Sequence, residues 1–263
     1  MGITYQAGND ITVMSTFEPA PGLGFLPINT FLLQGEQPIL VETGMPATEA
    51  EVLEMLQAVV GPEELRWIFL SHADRDHSGN LDRILELYPQ ARVVVNMTTA
   101  AKLGAEGPFP FHRAFIVNPG QTVDAGDRVL QVFQPPLYDA GGSLGFYDPK
   151  SGAVFSADTF GALIPAPASD LADVPEEAFN FGFSLFNRVN TPWVVDVDEA
   201  KFAASLQQVR DFNATTVLAT HLPAVRGKTE ELIRATAALP AQGPVEMPDQ
   251  AALEAMMAAG GAA

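Results

Sequence analysis

Four side chains able to bind a metal fall within the six residues His72-Ala73-Asp74-Arg75-Asp76-His77, and this crowding constrains the fold more than any other feature of the chain. Clustered carboxylates resist ionising together unless a cation sits among them. Neutral imidazole and ionised carboxylate are ordinary ligands of divalent zinc, iron and manganese. An acidic helix start, favoured by the helix dipole, accounts for Asp74 or Asp76 but leaves two histidines at this spacing unexplained. The cluster therefore needs a frame, and its flanks supply one. Trp67-Ile68-Phe69-Leu70 reads as a buried strand entering the loop. Leu81, Ile84, Leu85 and Leu87 after Gly79 space out a helix that stops near Pro89. Arg92-Val93-Val94-Val95 is the next strand, so the polar loop lies at the carboxyl end of the first strand of a βαβ unit, where open α/β sheets place their sites.

The rest of the chain continues this mixture. Ile11-Thr12-Val13-Met14-Ser15 alternates as a strand, and the runs Thr30–Leu33 and Pro38–Glu42 form a hairpin around Gly35-Glu36. Val52, Leu53, Leu56 and Val59 predict a helix over residues 47–60, ended by Gly61-Pro62. Further strands are read at Phe115–Val117, Val129–Phe133, Leu144–Tyr147 and Ala153–Ser156, with Asp148–Gly152 as a turn. Residues 160–175, rich in Pro, Ala and Asp, read as a long loop and a candidate lid. Helices follow over residues 176–187 and 196–212, then the strand Thr215–Ala219 delivering Thr220-His221, then a helix over 228–238. The expected organisation is a single domain over residues 1–240 and a partly disordered tail over 241–263.

Composition narrows the chemistry. The chain has no cysteine, which removes disulfides, thiolate ligands and cysteine nucleophiles together. Metals must then be held by Asp, Glu and the histidines His72, His77, His112 and His221. His112, in the loop Gly107–Arg113, reads as a surface residue. Acidic residues number 32 against 14 basic ones, a net charge of −18, which repels phosphate backbones and argues against nucleic acid as a partner. No stretch approaches the roughly 20 apolar residues of a membrane helix. The first residues show neither a secretory signal nor the acylation pattern. A cytoplasmic protein acting on a small molecule, with a homodimer left open, is the expectation.

The run His72-x-Asp74-x-Asp76-His77 resembles the His-x-His-x-Asp-His motif of the metallo-β-lactamase superfamily. It is still more similar to the His-x-Glu-x-Asp-His variant of the flavodiiron and oxygen-binding diiron proteins. The resemblance runs over roughly residues 3–239. Ile39-Leu40-Val41-Glu42-Thr43-Gly44 resembles the strand that ends in Asp-Thr or Asp-x-Gly, and Gly120–Asp127 the turn before a long strand. Phe155-Ser156-Ala157-Asp158-Thr159-Phe160-Gly161 resembles the segment with the bridging aspartate of diiron members, and Ala219-Thr220-His221 with Arg226-Gly227 the last ligand histidine and its turn. The implied fold is an α/β αββα sandwich of two mixed sheets flanked by helices. The implied ligands are His72 and Asp74 for one metal and Asp76, His77 and His221 for the other, with Asp158 bridging. Glu42 and Thr43 are expected to orient the ligand histidines.

Two departures from the pattern matter. Asp74 stands where relatives carry His or Glu, a harder donor that tilts the metal toward iron or manganese rather than zinc. A histidine expected about 60 residues after the motif is missing, and Gln134-Pro135-Pro136-Leu137-Tyr138-Asp139 stands there instead. The reading favoured is an open or water-filled position with Tyr138 beside it as a catalytic group. Asp139 as the replacement ligand, and a single metal at Asp76, His77, Asp158 and His221, stay open. The resemblance implies two divalent ions, iron favoured and zinc or manganese the alternatives, that bind or reduce dioxygen or a related small oxidant. No flavin domain is read in these residues, so an external reductase is expected. The alternative is a zinc hydrolase of an ester, lactone, thioester or phosphoester, in which Asp76 steers a metal-bound water.

Overall fold

Every residue from Ile11 to Thr16 is buried, which an alternating strand allows only when both its faces are covered. The computed structural model, which describes residues 2–260, shows what covers them. The strands β1 (Ile3–Gln6), β2 (Ile11–Ala20), β3 (Gly24–Leu33), β4 (Ile39–Val41), β5 (Trp67–Phe69), β6 (Arg92–Val95) and β7 (Ala114–Ile116) form a seven-stranded sheet in that order. Its pairings are antiparallel up to β4 and parallel from β4 to β7. The strands β8 (Thr122–Asp124), β9 (Val129–Phe133), β10 (Gly145–Asp148), β11 (Ala153–Phe155), β12 (Thr216–Leu218) and β13 (Val225–Arg226) form the second sheet, antiparallel except for the β11–β12 pair.

The period of two sorts the apolar residues into layers. Phe31, Leu33, Val41, Phe69 and Val94 meet Val132, Phe146, Phe155 and Leu218 of the other sheet in a core between the two. Their neighbours Leu32, Leu40, Ile68, Leu70, Val93 and Val95 face outward. They pack there against α1 (Glu49–Gln57), α3 (Leu81–Leu87) and α4 (Met97–Glu106) through Leu56, Leu81, Ile84, Leu85 and Ala100. The short α2 (Arg75–Ser78) carries the end of the polar cluster. On the far side, α5 (Glu176–Asn190), α6 (Glu199–Asp211) and α7 (Thr229–Ala237) cover Phe133, Val154 and Val217 through Phe183, Phe202, Leu206, Val209, Leu232 and Ile233. The result is the expected four-layer αββα sandwich.

The expected strands and helices between residues 11 and 238 are present with ends shifted by a few residues. Weaker signals went unread: β1, β8 and β13 are short, and α4 begins in Met-Thr-Thr, where no apolar spacing marks a helix. Asn96 caps α4 by accepting from the backbone N–H of Thr99 at 2.8 Å. In the segment expected to be a loose tail, residues Gln250–Gly260 form α8, and 261–263 lie outside the described residues.

One buried cation ties the sheets together. Arg128 is 4% exposed and donates to Asp148 Oδ2 at 2.8 Å on β10, to Asp10 Oδ2 at 2.5 Å and to the Gln34 carbonyl at 2.6 Å on the other sheet's side. Arg128→Leu is expected to lower stability by about 3–5 kcal/mol, since Asp148 would keep a buried charge without its cation. A fallen urea midpoint, largely recovered when Asp148→Leu is added, checks this.

The strands β4 and β5 of the first sheet run parallel, as do β11 and β12 of the second, with β9 in the same direction as β11. Their carboxyl ends lead directly into Glu42, the 71–77 loop, Asp158, His221 and, after Phe133, Asp139.

Candidate metal centre

Three imidazoles turn their Nε2 atoms into one buried space, and each is fixed from behind. His221 Nδ1 lies 2.8 Å from the Pro27 carbonyl, which only accepts, so Nδ1 carries a proton and Nε2 is the nitrogen left to meet an ion when the ring is neutral. Ser71 Oγ sits 2.9 Å from His72 Nδ1 and 3.3 Å from His77 Nδ1. Glu42 Oε1 is 3.4 Å from His77 Nδ1, and Thr43 Oγ1 donates to the His77 carbonyl at 2.9 Å. Glu42 and Thr43 are thus in place to orient the His77 ring and backbone.

Asp158 lies between the imidazoles, 5% exposed. Its Oδ2 is 3.7 Å from His72 Nε2, while its Oδ1 is 2.9 Å from His77 Nε2 and 3.5 Å from His221 Nε2. Around His72 Nε2 stand Asp74 Oδ2 at 3.8 Å and Asp139 Oδ1 at 3.6 Å. Asp76 Oδ2 is 3.6 Å from His77 Nε2 and 3.3 Å from His221 Nε2. Three sets able to hold an ion overlap here: His72, His77 and Asp158; Asp76, His77 and His221; His72, Asp74 and Asp139. His72 Nε2, His77 Nε2 and Asp158 Oδ1 are buried without a hydrogen-bond partner. Although His77 Nε2 and Asp158 Oδ1 are close, they are not aligned on each other. Buried polar atoms left this way call for a missing partner, and a cation between them supplies one.

The electrostatics point the same way. Burial pulls the His77 pKa down, but the charges of Asp158, Glu42 and Asp76 outweigh it and raise it well above the ordinary value. Burial likewise lowers His221, and its contacts with Asp158 and Asp76 bring it up to about 9. Burial, then the neighbouring His77, holds His72 below its usual value. Burial, with the charges of Asp158 and Asp74, pushes Asp139 up to about 7. Without an ion the carboxylates draw protons onto the histidines, and a dication is the stronger substitute.

Backbone strain gathers at the same place. Of the four non-glycine residues with positive φ among those described, Glu42, Ala157 and Phe160 flank these donors. Such conformations persist where surrounding contacts force them. Helix α5 closes the site from the second sheet's side. Asn190 Nδ2 donates to Asp158 Oδ2 at 3.1 Å, the Phe186 ring lies 5.2 Å from that of His221, and Asn187 Nδ2 donates to the Gly161 carbonyl at 2.8 Å. Gly182 lets α5 approach: a Cβ there would stand 1.9 Å from the Leu163 carbonyl oxygen. The stretch read as a candidate lid is fastened, with Phe25 and Ile164 paired at 2.8 and 2.9 Å and Leu171 donating to Ala224 at 3.0 Å.

His72, Asp74, Asp76, His77, Asp158 and His221 are therefore brought together. Tyr138 is not in this cluster. Its ring packs on Trp193 with centroids 5.1 Å apart, in a cleft of about 340 Å³ that Pro135, Pro136 and Phe202 also line. The next residue, Asp139, makes the approach expected of Tyr138, with its Oδ1 3.6 Å from His72 Nε2. His112 is exposed, as expected. Neither Asn190 nor Asn29 is marked as a site residue by the sequence. Asn29 Nδ2 holds the His221 turn through the carbonyls of Ala219 at 2.9 Å and Leu222 at 2.7 Å. A lone Asn carries no spacing signal, so the sequence offered nothing to find Asn29 or Asn190 by. A larger cleft of about 890 Å³ between α5 and α7 contains none of these donors.

The sequence profile of the metallo-beta-lactamase superfamily matches residues 23–221. Diflavin flavoprotein A 1 of Synechocystis is 28% identical over 134 residues, 51% of this chain and 23% of that protein. Nitric oxide reductase of Moorella thermoacetica is 26% identical over 136 residues, 52% of this chain and 34% of that protein. The matched part is less than half the length of these relatives. Rubredoxin oxygen:oxidoreductase of Desulfovibrio gigas superposes with a TM-score of 0.79 at 15% identity, covering 92% of this chain and 63% of that one, a likeness of fold. No helix among the described residues is long and apolar enough to cross a membrane.

Proposed function

The chain belongs to the metallo-beta-lactamase superfamily, and from that premise we propose that it is a two-metal redox protein, with iron at both positions, that binds or reduces dioxygen or a related small oxidant such as nitric oxide. One observation carries the reading: the two oxygens of Asp158 face two separate donor sets, Oδ2 toward His72 and Oδ1 toward His77 and His221. A carboxylate placed so is suited to lie between two ions. The donors around it, Asp74, Asp76 and Asp139, are hard oxygen ligands that suit iron better than zinc. Together with Asp158 they bring four carboxylates, whose charge balances two dications. The names of the nitric oxide reductase and the oxygen:oxidoreductase support the same class of substrate.

The chemistry such a pair would supply when bound is the delivery of one electron per ion to a small oxidant. The chain's own residues arrange the rest. His72, Asp74 and Asp139 would hold one ion, and Asp76, His77 and His221 the other. Pro27, Ser71 and Glu42 fix the imidazoles, and Asn190 holds Asp158 by its outer oxygen. Phe186 beside His221 and the buried Phe160 limit water at the site. Electrons come from a partner protein or domain.

Elemental analysis of protein made with iron and zinc both available tests this, together with oxygen uptake by the chemically reduced protein. About two irons per chain are expected, and their two electrons per reoxidised chain correspond to one oxygen consumed where the product is hydrogen peroxide and to half an oxygen where it is water. Zinc in their place, with turnover of ester or phosphoester dyes, would move the assignment to metal-dependent hydrolysis.

A further inference from the structure

Resting on the two-metal reading, though not on its redox chemistry, we propose that the two positions differ in kind. The position of Asp76, His77 and His221 fills first, holds its ion firmly, and takes zinc when zinc and manganese alone compete for it. The position of His72, Asp74 and Asp139 fills second, exchanges readily, and discriminates far less between zinc and manganese.

The donor sets make the difference. With Asp158 shared, the inner position has two imidazoles and two carboxylate groups, and the outer has one imidazole and three carboxylate groups. Imidazole nitrogen favours zinc over manganese, and carboxylate oxygen narrows that gap. Asp139 produces the asymmetry, since it stands where the resemblance led to the expectation of a second imidazole. The outer set is more than a group of acids. His72 is 1% exposed, its Nε2 has no hydrogen-bond partner, and that atom is 3.6–3.8 Å from one oxygen each of Asp139, Asp158 and Asp74.

Accessibility separates the positions further. The side chains of His77 and His221 are 1% and 3% exposed, and both rings are held by groups behind them. The side chain of Asp74 is 47% exposed, whereas Asp139 and the inner position's Asp76 are each 25% exposed, so the difference in exposure between the carboxylates lies at Asp74. Asp74 precedes α2 with no side-chain capping bond to hold it, and Asp139 lies on the irregular stretch between β9 and β10. Such carboxylates must be ordered when the ion arrives, which weakens binding. Water also reaches them, which gives an ion a path of exchange.

The test uses the whole chain, stripped with a chelator and offered one equivalent of zinc with excess manganese. After desalting under a low free-manganese buffer, elemental analysis is expected to give one zinc and one manganese per chain. The manganese should show an uncoupled six-line spectrum by electron paramagnetic resonance, because its neighbour is diamagnetic. With manganese alone, two ions and a spin-coupled spectrum are expected. Asp139→His should convert the outer position, so that two equivalents of zinc displace all manganese. Asp139→Asn, a variant closer in shape, should keep the inner zinc and lose the outer ion. Circular dichroism confirms that each variant is folded. Two zinc ions bound with equal affinity by the unaltered chain, or an unchanged zinc-to-manganese ratio in Asp139→His, would overturn the inference and leave the two-metal reading standing. Absence of any bound metal in the unaltered chain overturns both.

Discussion

Replacing Asp158 with alanine should empty both of the proposed metal positions, not one. Among the described residues, Asp158 is the donor near both sets through different oxygens: Oδ2 stands 3.7 Å from His72 Nε2, and Oδ1 2.9 Å from His77 Nε2 and 3.5 Å from His221 Nε2. On the two-metal reading, its removal would take a ligand from each ion. It also takes away the negative charge lying between two dications, so their repulsion goes unscreened in a buried site. Changes one layer out from a metal already cost roughly 10–100-fold in affinity, so losing a shared ligand should cost at least about 100-fold at each position. Asp158→Asn separates charge from shape, because the amide fills the same space and still has an oxygen for Asn190 Nδ2 to donate to. Both variants should lose both ions on desalting, by elemental analysis. A variant that keeps one tightly held ion would make Asp158 a terminal ligand and remove the chief support for a two-metal centre.

The sequence disclosed the donors and the layers because each left a pattern. Val93, Val94 and Val95 form a continuous apolar run since β6 is covered on both faces, and the polar loop after Phe69 stands out against it. His72 to His77 is local in sequence, so its crowding is visible without a fold. Asp158 was legible through the resemblance of its segment Phe155–Gly161, and His221 also through its place just past the last strand. What stayed hidden is whatever depends on three-dimensional direction. Tyr138 and Asp139 are adjacent in sequence, and only the path out of β9 decides that the ring turns to Trp193 and the carboxylate to His72. Asn190 reaches Asp158 from α5, 32 residues away, and Asn29 reaches the His221 turn across 190 residues. Neither contact has a periodicity to betray it. The positive φ of Glu42, Ala157 and Phe160 was likewise unreadable, since none is a residue type that favours it.

The chelator-stripped protein should lose stability as pH rises from about 6 to about 9.5, and the metal-loaded protein should not. Stripped of ions, the site meets its carboxylates with protons on His77 and His221. His221 is held down by burial but brought up to about 9 by Asp158 and Asp76, above the roughly 6.5 of an unfolded chain. A raised histidine contributes stability that is fully present below about 6.5 and is lost as pH climbs through about 9. His77, raised well above its usual value chiefly by Asp158 against the effect of burial, adds in the same direction. Asp139, pushed up to about 7 by burial and by Asp158 and Asp74, also favours the protonated folded state, and its share fades between about 4 and about 7. At the acid end the sign reverses. Burial would raise Asp158 and Asp76, but His77 and the other histidines hold both low, so their contribution is present above about 4 and lost as pH falls below it. The His221 shift alone amounts to about 3 kcal/mol, and that of Asp158 is not added to it because the two report one contact. Bound ions displace these protons, so loading releases protons and metal affinity grows with pH. Urea midpoints of stripped and loaded protein, taken from pH 5.5 to 9.5, should therefore diverge steadily. His221→Gln should flatten the slope of the stripped protein. Parallel slopes for the two forms would mean that protons do not occupy the place of the ions.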